Sequence, residues 1–265
     1  YQVRQGRFTP DEFEVSFSYT EDLNAVNFRL SEEERMRLRG RIDRIDTLKE
    51  NEKLYVKIID YKSGNTSFQF LNVYHGLQLQ LVVYMNAALE LMEKRYPEIT
   101  AVPAGIFYYH VNDPMVEADE TLVEEELNEK IFRELKLNGV VNADRDVIES
   151  LDVSLREGEG KNSSVIPVGI NKDGSLKKTS KTLTAEDFGA LSSYVNETIL
   201  HLGQRIIQGD IGSNPYSLDG KTGCDYCEFK SVCQFDVRAP GYAYRKLEEL
   251  SEEELLFRIR EKKEK

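Results

Sequence analysis

The pattern of apolar and polar positions in the first quarter of the chain predicts β-structure. Alternating or β-forming residues fill 13–20 and 34–46, and the apolar run LYVKII opens a third strand over 54–64, which ends at Ser-Gly. The polar segment ENEK between the second and third strands is short enough for a hairpin loop. We therefore expect these two strands to pair side by side.

Farther along, the apolar spacing becomes that of helices. Residues 70–97 contain no proline before position 97, which predicts one long helix. Its apolar stripe consists of Leu77, Leu81, Met85 and Ala88. A second helix is expected over 120–139 and ends at Asn138-Gly139, a pair typical of helix C-termini.

The rest of the chain mixes both kinds of element. The aromatic segment 104–111 predicts a strand, and VIPVGI predicts a short one inside the loop-rich stretch 157–182. Thr184-Ala-Glu-Asp187 resembles a capping box for a helix to about Gln208, and a charged helix starts near Ser251. Strands followed by alternating helices and strands predict an α/β fold, with a mixed central sheet flanked by helices.

Length and charge change this picture little. The chain has 265 residues, 40% of them apolar, and no apolar run near the roughly 18 residues of a membrane helix. The segment YQVRQGRFTP lacks the apolar core of a signal peptide, and a start at tyrosine suggests a fragment, so we expect part of a larger cytoplasmic protein.

The net charge of −12 argues against nucleic acid unless basic residues are concentrated locally. They do form two clusters, which are Arg35, Arg37, Arg39, Arg41 and Arg44, and Lys177, Lys178 and Lys181. If the strand is regular, Arg39, Arg41 and Asp43 share one face, so a DNA-binding surface and an acidic site would be continuous.

Asp60-Tyr61-Lys62 at the end of the third strand is the first candidate for chemistry. Residues two apart share a strand face, so Asp60 and Lys62 project together, and hairpin pairing would bring Asp43 beside Asp60. Two carboxylates suit Mg²⁺, which would stabilise charge on a phosphodiester. Lys62 would orient the attacking water, help to deprotonate it, or neutralise charge in the transition state. The triplet alone is a weak signal among 47 acidic residues. Asp46 falls on the opposite face, and we interpret it as a turn residue.

The predicted long helix adds a second candidate. Gln80 and Tyr84 lie four residues apart on one helical face, and Gly76, one turn earlier, would let backbone or substrate approach closely. A buried glutamine needs hydrogen-bond partners, so the alternatives are a site at this face or a satisfied core amide.

The third candidate is the cysteine cluster. Cys224, Cys227 and Cys233 form a C-x2-C-x5-C pattern, and their odd number favours a metal or iron–sulfur site over disulfides. Zinc sites and four-iron clusters generally take four protein ligands, so a fourth would come from outside this chain. The alternative is three thiols buried in a small aromatic knot with Tyr226, Phe229 and Phe235.

The segments GRIDRID, IIDYKSG, QLVVY and CDYCEFKSVC resemble the RecB-type branch of the PD-(D/E)xK nucleases, and within it the C-terminal nuclease domains of AddB-type subunits. The resemblance covers nearly the whole chain and implies a restriction-endonuclease-like fold. It implies Mg²⁺ bound by Asp43, Asp60 and the backbone carbonyl of Tyr61, with Lys62 completing the site. It also implies that Gln80 and Tyr84 form the family's Q-x3-Y element beside the DNA.

The resemblance further implies that Cys224, Cys227 and Cys233 are three of the four ligands of a 4Fe-4S cluster. It implies an exonuclease that cuts single-stranded ends delivered by an AddA-like helicase-nuclease subunit during double-strand break repair. No G-x4-G-K-[ST] motif for ATP occurs in the chain.

We expect a nuclease domain over 1–236, including the cysteine region 209–236, and a charged helical tail over 237–265. From the sequence alone, two other functions stay open. One is a non-catalytic, metal-stapled module that binds DNA or docks a helicase. The other is a stand-alone exonuclease of the CRISPR-associated type, although such a chain would carry four cysteines.

Overall fold

The computed structural model describes residues 2–17, 23–111, 114–116, 124–157 and 160–263. Within these ranges the strands are Thr9–Phe17 (β1), Asn27–Arg29 (β2), Arg35–Arg37 (β3), Gly40–Glu50 (β4), Lys53–Lys62 (β5), Thr100–His110 (β6), Asn138–Asn142 (β7), Thr182–Leu183 (β8), Tyr216–Leu218 (β9), Lys221–Thr222 (β10) and Arg245–Lys246 (β11). The helices are Gln2–Gln5 (α1), Phe70–Tyr74 (α2), Gln80–Arg95 (α3), Glu124–Glu134 (α4), Arg145–Leu151 (α5), Ala185–Ile207 (α6), Lys230–Cys233 (α7) and Glu252–Lys263 (α8), with short 3₁₀ turns at Asn24–Val26 and Val153–Glu157.

A mixed sheet of six strands, in the order β1-β4-β5-β6-β7-β8, forms the centre of the fold. β4 and β5 are antiparallel and turn at Asn51 and Glu52, which both have positive φ angles, so the expected hairpin is confirmed. β5 and β6 are parallel, and α2 and α3 lie between them in the chain. This arrangement confirms the predicted mixed α/β architecture.

The central strand β5 has apolar residues on both faces because the sheet is covered on both sides. Ile58 belongs to a core cluster that includes residues of α3 and α6. Ile59 belongs to a second cluster, on the opposite face, that includes residues of α5 and of the segment 165–170. Burial of both faces explains why LYVKII is a nearly continuous apolar run.

The single long helix predicted over 70–97 is wrong. α2 ends at Tyr74 and α3 begins at Gln80, because the link contains Gly76 in a left-handed conformation with a φ of +76°. Gly76 is therefore part of the break and not one helical turn before Gln80. Leu77 also lies in the break and is 38% exposed. Leu81, Met85 and Ala88 of the predicted stripe are buried as expected.

The prediction of a helix through Asn138-Gly139 is also wrong at its end. α4 stops at Glu134, and residues 138–142 form β7, antiparallel to β6. A Cβ atom at Gly139 would come within 1.9 Å of the carbonyl oxygen of Ile106, so this glycine permits close strand pairing and is not a helix cap. The start of the predicted helix, residues 120–123, lies outside the described residues, as do residues 18–20 of the first strand.

Of three other predictions, two differ from the structure and one is confirmed. The strand predicted over 34–46 is interrupted, because β3 ends at Arg37 and β4 starts at Gly40. VIPVGI forms isolated bridges and not a regular strand. The capping box is confirmed, since Thr184 and Asp187 bond reciprocally at the start of α6.

The C-terminal helix α8 is confirmed and packs against α6. Leu255 and Ile259 of this helix are buried in the same core cluster as α3. The boundary after residue 236 stays a prediction. None of the helices that the structure describes is both long and apolar enough to cross a membrane.

Candidate active site

The β4–β5 hairpin brings Asp43 and Asp60 together. The antiparallel pairing ends at Arg44 and Ile59, so Asp43 and Asp60 are the next residues on the two strands. Asp43 accepts a hydrogen bond of 2.8 Å from the backbone N–H of Tyr61 to its Oδ2 atom. The two carboxylates predicted from the sequence therefore meet at the end of β5.

Asp60 is a buried acid, only 3% exposed, with a basic neighbour. Its Oδ2 atom forms an ion pair of 2.6 Å with Nζ of Lys62. Burial raises the pKa of Asp60, Lys62 lowers it, and the charge of Asp43 raises it again, with a net increase. Lys62 therefore supplies the positive charge beside this buried carboxylate.

Lys62 is fixed from the helix side by Gln80 and Tyr84. Its Nζ donates a hydrogen bond of 3.1 Å to Oε1 of Gln80, and Nε2 of Gln80 donates one of 2.8 Å to the hydroxyl of Tyr84. Gln80 is the first residue of α3, so the break at Gly76 determines where this amide enters the site. Asp60, Lys62, Gln80 and Tyr84 thus form one contact chain.

Tyr108 is a member of this site that the sequence analysis missed. It pairs with Asp60 across β5 and β6, and Nζ of Lys62 lies 5.3 Å from the centre of its ring. Burial first, and then the charge of Asp60, raise the pKa of Tyr108 to about 12. Tyr108 could not be predicted from local sequence. The parallel pairing of β5 and β6 determines which residue of AGIFYYHV lies opposite Asp60.

The donor set fits a hard divalent cation. Two carboxylates converge, and their oxygen atoms suit Mg²⁺ better than softer metals. In the described part of the chain no group of three or more His, Cys, Asp or Glu residues could hold a metal. An ion here would therefore take its other ligands from backbone oxygen and water. The carbonyl of Tyr61 stays a predicted ligand.

The interpretation of Asp46 as a turn residue is wrong. β4 continues to Glu50, so Asp46 lies inside the strand and is fully buried. Its Oδ2 atom lies 2.8 Å from Nη2 of Arg44 and 2.7 Å from Nζ of Lys57. Burial lowers the pKa of Lys57, while Asp46 raises it. This ion-pair cluster occupies the opposite face of the strands that carry the candidate active site.

Arg39 and Arg41 lie at the start of the same hairpin. β4 begins at Gly40, so Arg39 is outside the strand, and Arg41 is exposed with its Nη1 3.5 Å from Oε2 of Glu14. Ile42 and Ile45 contact the same core cluster although they are three residues apart. Side chains of β4 therefore do not alternate regularly between the two faces of the sheet, as they would have to for Arg41 and Asp43 to share a face. Contact of Arg39 and Arg41 with DNA stays a prediction.

The cysteine region does not form a buried knot. Cys224 is half-buried, Cys227 and Cys233 are exposed, and all three thiols are free. Tyr226 and Phe229 are also largely exposed. The alternative of three thiols packed among aromatic rings is wrong, because these side chains face solvent.

The comparisons with known proteins agree with this geometry. The family described as the PD-(D/E)XK nuclease superfamily matches residues 1–234. The chain is 41% identical over 260 residues to an ATP-dependent helicase/deoxyribonuclease subunit of the B type from Lachnoclostridium phytofermentans, covering 96% of this chain and 21% of that protein. It is 38% identical over 255 residues to the protein of the same name from Clostridioides difficile, covering 96% of this chain and 22% of that protein.

This chain spans about a fifth of the length of the curated relatives it matches. The resemblance to PD-(D/E)xK nucleases and to AddB-type subunits is confirmed. Nucleases of this superfamily generally use a divalent metal ion, in agreement with the oxygen donors at the end of β5. This chain belongs to the PD-(D/E)XK nuclease superfamily, because the family matches residues 1–234 and the chain has a mixed sheet that carries Asp43, Asp60 and Lys62.

Proposed function

We propose that this chain is the Mg²⁺-dependent deoxyribonuclease domain of an AddB-type helicase-nuclease subunit and that it hydrolyses phosphodiester bonds in single-stranded DNA ends. The observation that carries this proposal is the buried Asp60, in contact with Lys62 and next to Asp43. The names of the relatives, which describe a helicase and deoxyribonuclease, support the wider role.

Each residue of the site has a distinct role in this proposal. Asp43, Asp60 and the carbonyl of Tyr61 would hold Mg²⁺, which when bound supplies charge stabilisation for a phosphodiester and lowers the pKa of water. Lys62 orients the attacking water and offsets negative charge that develops on the phosphate. Gln80 holds the ammonium group of Lys62, and the hydroxyl of Tyr84 fixes the amide of Gln80.

The proposal also includes a DNA path and a partner. Arg39 and Arg41 would contact phosphates of the incoming strand, since both lie at the end of the hairpin that carries Asp43. An AddA-like helicase-nuclease subunit would deliver the single strand at a double-strand break, in the cytoplasm.

The cysteines belong to a separate part of the proposal. Cys224, Cys227 and Cys233 would be three ligands of a 4Fe-4S cluster, and the fourth would come from outside this chain. The C-x2-C-x5-C spacing supports this role, because cysteines close together in the chain can supply thiolates to one cluster. The chain provides three of the four ligands, and the proposed cleavage chemistry uses the residues at the end of β5 and none of the cysteines.

Cleavage of an end-labelled single strand, with Mg²⁺ and with EDTA, tests the nuclease proposal. We expect Mg²⁺-dependent cleavage by the wild type and a loss of about 10³-fold in Asp60→Asn, because a metal ligand is removed while the volume is kept. Asp219→Asn, at an exposed turn position with positive φ, removes the same charge elsewhere and should retain full activity. DNA binding without cleavage by the wild type would instead support the non-catalytic module.

A further inference from the structure

A cavity with two basic lining residues lies on the other side of the sheet from the carboxylates, next to Val168 of the second core cluster. Its volume is about 620 Å³, and the basic residues are Arg133 and Lys136. Asn162, Ser164 and Thr179 are polar members of its lining. No described lining residue is acidic, although the chain carries a net charge of −12. Arg133 pairs with the exposed Glu129 at 3.4 Å, so the positive charge of the lining rests mainly on Lys136. A cavity with this charge suits an anion.

Lys136 is the residue that makes this cavity unusual. It is half-buried in the link between α4 and β7, and it forms no ion pair with any other described residue. Burial lowers its pKa, and the charge of Asp152 opposes this shift. The oxygens of Asp152 are already bonded, Oδ1 by Ser154 and Oδ2 by Ser163 at 2.6 Å. Lys136 therefore lines the cavity without an ion pair to any other residue in the described part of the chain.

The cavity lies at the same end of the sheet as the candidate active site. Lys136 precedes Asn138 by two residues, Asn138 pairs with Tyr108, and Tyr108 pairs with Asp60. Two inter-strand steps separate the backbones at Asp60 and Asn138, which is roughly 10 Å. A single strand that crosses the end of the sheet must also pass from one face to the other, roughly another 10 Å, so the path takes about six nucleotides at the stacked spacing.

Part of the second basic cluster of the sequence borders the cavity. Lys177 and Lys178 precede the lining residue Thr179. Nζ of Lys177 donates to Oδ1 of Asn162 at 2.9 Å and to the carbonyl of Gly160 at 3.3 Å, which fixes this wall of the cavity. Lys178 is exposed and adjoins the lining residue Thr179 in the chain. These lysines add positive charge next to the cavity.

We propose that the cavity lined by Arg133 and Lys136 binds a backbone phosphate of the DNA strand, about six nucleotides from the bond that is cut. The identity of the ligand as DNA rests on the proposed nuclease function. The binding of a phosphate there does not need the carboxylates of the active site. The site selects strands long enough to reach both faces of the sheet.

Binding of labelled oligothymidylates to the whole chain tests this site. In an Asp60→Asn background, which prevents cleavage, we expect Lys136→Gln to weaken binding of a strand of about 16 nucleotides by about tenfold and to reduce the salt slope by about 0.7. A strand of about four nucleotides is too short to reach the cavity while it is held at the carboxylates. It should bind equally well to Asp60→Asn and to the double variant that also carries Lys136→Gln. Lys136→Arg should retain the wild-type affinity.

Lys49→Gln is the matched control, because it removes the same charge from an exposed position at the hairpin end of β4. Equal affinities of Lys136→Gln and Lys49→Gln for the long strand, with unchanged melting temperatures, would overturn the proposal. If Lys136→Gln unfolds, the exposed variant Arg133→Gln must show the same dependence on strand length.

Failure of this inference and failure of the nuclease proposal give different results. If only the inference fails, wild type and Lys136→Gln cleave long strands with equal KM and kcat. If only the nuclease proposal fails, no cleavage occurs, but Lys136→Gln still binds the long strand more weakly than the control. If both hold, Lys136→Gln raises KM for the long strand and leaves kcat unchanged.

Discussion

Lys62 donates a hydrogen bond of 3.1 Å from Nζ to Oε1 of Gln80, so the last residue of β5 is joined to the first residue of α3. The same ammonium lies 2.6 Å from Oδ2 of Asp60. The position of the lysine therefore depends on a strand and a helix together.

The first prediction concerns Lys62 itself. Lys62→Met should lower Mg²⁺-dependent cleavage by about 10²-fold or more, because it removes the positive charge beside the reacting phosphate. Cleavage rates on a saturating single strand measure this effect. Lys49→Met, at an exposed position far along the hairpin, should cleave like the wild type. Equal rates for both variants would exclude Lys62 from the chemistry.

The second prediction separates Gln80 from Tyr84. Gln80→Ala should lower kcat by about tenfold, because Lys62 loses its acceptor, and Tyr84→Phe should have a smaller effect. If Tyr84 acts only through Gln80, the double variant should be no slower than Gln80→Ala alone. Additive losses would show that Tyr84 has a separate role. Asn86→Ala removes an amide from the same helix and should leave kcat unchanged.

The third prediction concerns the buried Asp46. Asp46→Asn should lower the free energy of unfolding by about 3–5 kcal/mol, because it leaves Lys57 buried without a counter-charge. Lys57→Met should cost less, since Asp46 keeps two bonds from Arg44. Urea unfolding of both variants measures the difference. An equal cost for the two would mean that the Arg44 contact contributes little.

The fourth prediction is a pH dependence at the start of α6. Burial raises the pKa of Asp187, but bonds from Arg260 and Thr184 outweigh burial and hold it below its usual value of 3.8. The stabilisation is therefore present above pH 3.8 and is lost as the pH falls through the lower, folded-state pKa. Asp187→Asn should cost about 1–2 kcal/mol at neutral pH.

Thermal unfolding at several pH values checks this sign. The difference between wild type and Asp187→Asn should shrink as the pH falls below the usual range of a carboxylate. Glu186→Gln changes an adjacent exposed acid and should produce little difference at any pH. A difference for Asp187→Asn that grows on acidification would contradict the assignment.

Much of the candidate site could be predicted from local sequence. The period of two in a strand is enough to place Asp60 and Lys62 on one face, and the short ENEK loop is enough to pair Asp43 with Asp60. The capping residues Thr184 and Asp187 could be predicted for the same reason, since the hydrogen bonds between them span three positions of the chain. These features depend on near neighbours in the chain.

Long-range contacts decided the rest. Gly139 has the sequence context of a helix end, but its close approach to Ile106 in β6 makes it a strand residue. Asp46 looked like a turn residue because its second partner, Lys57, comes from the neighbouring strand. Tyr108 and Lys136 join the region of the site only through the order of β5, β6 and β7. By itself the sequence determined which residues could do chemistry, whereas strand pairing decided which of them meet, because burial and charge balance depend on neighbours distant in the chain.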